Sequence, residues 1–139
     1  MIAYVDSSVI LRVILKQRGP LHEWNRITNG IVSRLAEVEC MQTLDRQRIA
    51  DNVGLDELAL RREAVNNILD ELTIVEITRT VLTRAGQPMV APLGSLDAIH
   101  LATAELWRES QDQEILFATH DHALGLAARA SGFKVIGVE

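Results

Sequence analysis

Four acidic residues occupy places in the sequence where a carboxylate could do chemistry: Asp6, Glu39, Asp97 and Asp121. Asp6 ends the apolar run Ile2-Ala3-Tyr4-Val5, and Asp121 follows the run Ile115-Leu116-Phe117-Ala118 after Thr119 and His120. Glu39 and Asp97 each fall early in a segment of helical spacing, Leu35 to Ile49 and Leu96 to Arg108. In a parallel sheet all four positions lie toward the carboxyl edge, where ligands of open α/β folds sit. Each acid also has an ordinary explanation, as a helix cap, a dipole partner or a solvated residue. Together, however, they repel, and a cluster of this kind calls for a compensating cation. A hard divalent ion, Mg²⁺ or Mn²⁺, prefers such all-oxygen surroundings, and a pair of them can promote phosphodiester cleavage. Ser7 or Ser8 beside Asp6, and Thr119 beside Asp121, can orient the carboxylates or hold a metal-bound water from a second layer.

The elements needed to gather these residues can be read along the chain. A buried strand over Ile2–Val5 feeds a short helix over Val9–Leu15, ended by Lys16-Gln17-Arg18 and Gly19-Pro20. A short helix is expected over Leu21–Ile27 with Trp24 inward, and a second strand over Ile31–Ser33. Helices over Leu35–Ile49 and Leu55–Leu69 follow; within 51–71 they could project as an arm. Leu72–Ile77 reads as a strand and Thr80–Ala85 as a short helix. Ser95 is a candidate N-cap for the helix over Leu96–Arg108. Then come a strand over Ile115–Ala118, a helix from Asp121 to Ser131 closed by Gly132, and a last strand over Lys134–Ile136. Alternating helices and nearly continuous apolar strands predict an α/β fold, a parallel sheet covered on both faces.

The 139 residues suit one domain, 1–139, with an ordinary globular composition, 47% hydrophobic and 24% charged. A net charge of -5 argues against a general nucleic-acid coat but leaves room for a local basic face. Of the 14 basic residues all but Lys16 and Lys134 are Arg, suited to bidentate phosphate contacts. Arg12, Lys16, Arg46 and Arg48 are the candidates for meeting phosphates. The lone Cys40, among Val38, Met41 and Leu44, reads as a small buried residue and fits a reducing cytoplasm. No membrane span and no signal peptide is expected.

The motifs Tyr4-Val5-Asp6-Ser7-Ser8, Ser33-x-Leu35-x-x-x-Glu39, Leu96-Asp97-Ala98-Ile99-His100-Leu101-Ala102-Thr103-Ala104 and Thr119-x-Asp121-x-x-Leu124, with Ala127, Ala128 and Gly132, resemble the PIN domain. More closely they resemble the VapC-type toxins of toxin–antitoxin pairs. The resemblance implies an α/β/α sandwich with a five-stranded parallel sheet and Mg²⁺- or Mn²⁺-dependent endoribonuclease activity on an RNA substrate. It also implies inhibition by a cognate VapB-like antitoxin, and a homodimer. By position, Asp6, Glu39, Asp97 and Asp121 become the acidic, metal-binding quartet. Glu37 is the competitor of Glu39, but two residues along a helix it points about 200° away. Gly94 departs from the pattern, standing where many relatives carry a basic residue.

His100 lies three residues after Asp97 on the same side of its helix, and reads as structural or as a proton carrier. His120 and His122 flank Asp121 but lack the further ligands that zinc needs. Two other classes compete with the nuclease. An aspartyl phosphoacceptor or phosphatase would use Asp6 as nucleophile, but the second acid of haloacid-dehalogenase-like enzymes is replaced by Ser8, and a receiver-like site would depend on Lys134. A non-catalytic binding module would have no reason to keep four clustered acids. An antitoxin helix could use the apolar, Arg-dotted surface of 10–27 and 55–69.

Overall fold

Strand β1 (Ile2–Val5) lies at the centre of a five-stranded, all-parallel sheet, and the rest of the chain winds outward from it in both directions. The computed structural model describes residues 1–16 and 18–138; Gln17, expected to help end the first helix, and Glu139 lie outside the described residues. After β1 come α1 (Ser7–Leu15), β2 (Asn29–Ser33), α2 (Leu35–Ala50), α3 (Leu55–Glu71) and β3 (Thr73–Val75). Then follow α4 (Arg79–Ala85), α5 (Ser95–Gln111), β4 (Leu116–Ala118), α6 (His122–Ala130) and β5 (Lys134–Ile136). The strand order is β3-β2-β1-β4-β5. Winding therefore reverses between β1 and β4, and the carboxyl ends of those two strands open onto the crevice where open α/β sheets take ligands. Asp6 follows β1 and Thr119 follows β4.

The period-two alternation of the strands divides the core into two layers. Ala3, Val5, Val32 and Ala118 face one way and pack with Val9 and Ile10 of α1, Ala36, Cys40 and Leu44 of α2, and Val65 and Leu69 of α3. Tyr4, Ile31 and Phe117 face the other way, against Leu101 and Ala104 of α5 and Leu124, Ala127 and Ala128 of α6. This is the expected α/β/α sandwich. Burial of each large side chain such as Phe117 or Leu101 stabilises the fold by about 1.5–3 kcal/mol. Burial also pushes the Cys40 thiol up to about 12, so it is an inert core residue.

Three expectations need correction. Residues 21–27 form only a single 3₁₀ turn, Trp24–Arg26, because Thr28 is already tied back to the Met1 carbonyl at 2.9 Å as the chain enters β2. The helix α3 does not project as an arm; Val65 and Leu69 anchor it on α1 and α2. Ser95 is the first residue of α5 rather than its cap: Gly94, in extended backbone, takes the cap position, and its carbonyl accepts from the Ala98 N–H at 2.9 Å. Among the described residues no helix is long and apolar enough to cross a membrane.

Candidate active site

Asp6 turns the chain from β1 into α1. Its extended backbone (φ -90°, ψ 170°) makes it the N-cap of α1, and its Oδ1 accepts from the Ser8 N–H at 3.0 Å and from the Ser8 hydroxyl at 2.5 Å. Its Oδ2 accepts from the Thr119 hydroxyl at 2.9 Å, 113 positions along the chain. Asp6 is 4% exposed and Thr119 fully buried, so this contact fastens the ends of β1 and β4 together. The Ser8 hydroxyl also accepts from the His120 N–H at 2.9 Å, and the Thr119 hydroxyl from the Asp121 N–H at 3.0 Å. Burial raises the Asp6 carboxyl above its ordinary value; His100, Ser8 and Thr119 pull it down, and Glu39 adds to the rise.

Glu39 lies in the second turn of α2 and Glu37 in the first. The two diverge as positions two apart on a helix must: Glu37 is exposed and pairs with Arg34 at 3.3 Å, while Glu39 is partly buried on the other side. There its Oε1 accepts from the Ser7 hydroxyl at 3.2 Å and from His100 Nε2 at 2.5 Å. His100 is 1% exposed, and its Nδ1 meets the Tyr4 hydroxyl at 2.5 Å. Burial alone would lower the His100 pKa, but the hydrogen bond and charge of Glu39, with Asp6 and Asp97 behind it, lift it above the ordinary value.

Asp97 sits in the first turn of α5, and its carboxylate accepts no hydrogen bond from the described residues. Burial raises it, Asp121 raises it further, and Asp6 and Glu39 add to the rise against the pull of His100. Asp121 is the exposed N-cap of α6, where its Oδ1 accepts from the Leu124 N–H at 3.0 Å. The four acids thus come from four elements to one rim and act on one another electrostatically. Among the described residues, no three His, Cys, Asp or Glu side chains form a ready-made ligand group. The rim is an open array of oxygens rather than a closed cage. An all-oxygen donor set of this kind is what a hard divalent ion prefers, and burial first, with neighbouring carboxylates after it, holds Asp6 and Asp97 above their ordinary pKa.

A PIN-domain family model matches residues 3–129. The chain belongs to the PIN-domain family. Within it the chain is of the VapC type: it is 32% identical to Ribonuclease VapC46 of Mycobacterium tuberculosis over 96% of this chain and 95% of that protein. The fold is similar to that of the VapBC2 crystal structure from Rickettsia felis, solved with a promoter DNA fragment, with TM-score 0.65, 11% identity and 97% of both chains covered. It is also similar to a toxin–antitoxin complex from Klebsiella pneumoniae, with TM-score 0.57, 19% identity and 86% of both chains covered.

This PIN domain distributes its basic candidates unevenly. Arg12 lines a cleft of about 390 Å³ that leads off Ser8 and Asp121 between α1 and α2, together with Arg18, Thr43 and Gln47. Lys16 faces instead a groove between α1 and α3, and Arg46 lines a separate depression with Arg62. Arg48 pairs with Asp45 at 3.4 Å. The zinc alternative has no support in the loop, since His120 Nδ1 donates to the Gly137 carbonyl at 2.8 Å and His122 is exposed. Nor is Lys134 placed as a receiver-like lysine: it opens β5, at the end of the sheet away from Asp6.

Sequence reasoning missed three contributors to the PIN rim. Tyr4 appeared there only as an apolar strand residue, and Ser7 only as a possible partner of Asp6. Gly137 carries the one signal legible in the sequence, since a glycine at a strand end can mark close backbone approach. It has φ +99°, and a Cβ there would collide with the Thr119 carbonyl.

Proposed function

We propose that this PIN domain is the ribonuclease toxin of a toxin–antitoxin pair, cutting RNA internally with Mg²⁺ or Mn²⁺ held by Asp6, Glu39, Asp97 and Asp121. The observation that carries this reading is the shared rim, where buried Asp6 and half-buried Asp97 are held above their ordinary pKa by burial and by neighbouring carboxylates. A hard cation bound there would offset the crowded charge and polarise the phosphodiester and an attacking water. Ser8 and Thr119 keep both Asp6 oxygens in fixed directions, and the Ser7 hydroxyl donates to one oxygen of Glu39. Arg12 and Arg18, in the cleft that runs off Asp121, take phosphates beside the one being cut, while Leu11 and Leu15 offer an apolar wall to a base.

The partner is a VapB-like antitoxin. Support comes from the groove of about 420 Å³ between α1 and α3, where Val13, Ile14, Leu60, Ala64 and Ile68 present an apolar lining with Lys16, Glu57 and Arg61 among them. Leu60 is 60% exposed there, which an amphipathic helix would cover. A homodimer is the proposed assembly, with exposed Leu82 and Val90 as apolar surface on the far side. The free Cys40 fits a cytoplasmic setting.

The test is cleavage of a structured RNA by purified protein with Mg²⁺, with Mn²⁺ and with chelator. Wild type is expected to cut only with metal, and Asp97→Asn not at all. Cleavage at the wild-type rate by folded Asp97→Asn protein would overturn the assignment.

A further inference from the structure

The nuclease reading leaves a buried tyrosine and a buried histidine without a task. Tyr4 points from the central strand into the layer opposite α1, its ring stacked on Phe117 at 5.1 Å between centroids and inclined by 28°. Its hydroxyl meets His100 Nδ1 at 2.5 Å. The other ring nitrogen meets Glu39 Oε1 at 2.5 Å. Three side chains from β1, α5 and α2 thus form one unbroken chain of hydrogen bonds, from the floor of the core to an acid of the rim. We propose that His100 is a positioning residue, held by the Tyr4 hydroxyl in the form that donates from Nε2 and thereby fixing Glu39 for the cation; this rests on the proposed function.

The chemistry of the groups supports the direction of the chain. A carboxylate only accepts, so Nε2 must carry the proton that lies between His100 and Glu39. A neutral imidazole then has a bare Nδ1, which needs a donor, and the fully buried Tyr4 hydroxyl is that donor. The imidazolium form would also donate to Glu39 from Nε2, with the Tyr4 hydroxyl accepting from Nδ1, so the contact to Glu39 survives either charge while the choice of tautomer by Tyr4 belongs to the neutral ring. Only the Nδ1–H tautomer would release Glu39: the Tyr4 hydroxyl would then accept instead of donate, and Glu39 Oε1 would face a bare Nε2. Partners that fix the orientation of a ligating side chain commonly change metal affinity or activity by about 10–100-fold when removed. The Ser7 hydroxyl, part-buried and 3.2 Å from the same Oε1, lies beyond the usual O–H···O range and holds Glu39 only weakly by itself.

Two measurements test the proposal. The first is the ¹⁵N spectrum of the His100 ring in metal-free protein, which reads the tautomer without any activity. Nε2 protonated in wild type, with Nδ1–H population appearing in Tyr4→Phe, is the expected result. A wild-type ring protonated only at Nδ1, or a ring insensitive to Tyr4→Phe, overturns it. The second is Mn²⁺ calorimetry and RNA kinetics on His100→Leu and His100→Gln, both confirmed as folded. Leu should weaken Mn²⁺ binding by about 10-fold or more and lower kcat while leaving KM for RNA unchanged. Gln, which can still donate to Glu39, should restore most of both. Equal loss in the two variants, or full Mn²⁺ affinity in His100→Leu, overturns the positioning role. A wild-type protein that binds no Mn²⁺ overturns the function reading and with it the purpose assigned to the chain, whereas the ring spectrum then still decides the hydrogen-bond geometry by itself.

Discussion

Replacing Thr119 by Val removes one hydroxyl and almost no volume, from a side chain that is fully buried. Two hydrogen bonds go with it: the donation to Asp6 Oδ2 at 2.9 Å and the acceptance from the Asp121 N–H at 3.0 Å. The second is replaceable, because Asp121 is exposed and water can reach its backbone. The first is not, since Asp6 is 4% exposed and its oxygen would face a methyl group. A hydrogen bond to an ionised group contributes about 1.5–3 kcal/mol, so Thr119→Val should destabilise the folded chain by about 2–3 kcal/mol. For a chain of this size that corresponds to a fall in Tm of roughly 6–12 °C. The cost should also depend on pH, and its sign follows from Asp6. The Thr119 bond favours the ionised carboxylate; its loss raises the folded-state pKa of Asp6 further above the ordinary value. The folded variant therefore binds the proton more tightly, and the penalty is full above the folded pKa and shrinks as pH falls through it. Urea denaturation of both proteins at pH 3, 5 and 7.5 measures this directly. In an Asp6→Asn background the cost of Thr119→Val should drop by at least about 1 kcal/mol. A cost under about 0.5 kcal/mol, or one that stays constant from pH 3 to 7.5, would refute the idea that the hydroxyl holds a charged Asp6.

Asp97→Asn should raise Tm at neutral pH while abolishing cleavage. Burial and Asp121 raise the Asp97 pKa, so the ionised form penalises the folded state above that value, and melting curves at pH 7 and pH 3 should show the gain only at the higher pH. Gly137→Ala should cost about 1–3 kcal/mol in chemical denaturation, since a Cβ meets the Thr119 carbonyl and φ is +99°. Arg12→Ala should raise KM for RNA with little change in kcat and reduce the salt slope of binding by about one, whereas Arg46→Ala, on its separate depression, should do neither. Cys40 should resist iodoacetamide at pH 8 in the native protein and react only in denaturant, as a thiol pushed up to about 12 and fully buried requires.

The parts of the fold that were legible in the sequence are those whose signal is local. Ile2–Val5 is an apolar run cut off by a carboxylate, and Lys134–Ile136 a short run after Gly132; both emerge as strands with those bounds. Glu39 was separable from Glu37 because two helical residues always diverge by about 200°. Spacing failed where a partner elsewhere in the chain decides. The turn at Trp24–Arg26 is short because Thr28 is bound to Met1. The basic residues of α2 could not be placed because that helix has no clean apolar stripe: Val38 is 48% and Ile49 69% exposed. The link from Tyr4 to His100 spans 96 positions, and nothing in either motif names the other.

Helix capping is compatible with the proposed catalytic role of the acids. Asp6 and Asp121 both cap helices through Oδ1, which fixes the carboxylate plane by a backbone N–H. A side chain so anchored keeps its second oxygen in a defined direction, and that is what a site assembled from distant segments needs. Glu39, inside a helix, has no cap to make and is held instead by Ser7 and His100. Asp97 alone has no hydrogen-bond anchor among the described residues, yet it sits in the first turn of α5, where the helix dipole already favours negative charge. It is therefore the acid able to move most when the charge of the rim is neutralised. Adding Mg²⁺ should therefore shift the Asp97 carboxyl resonance more than that of Asp6, and equal shifts at both would show that the rim closes as one rigid unit.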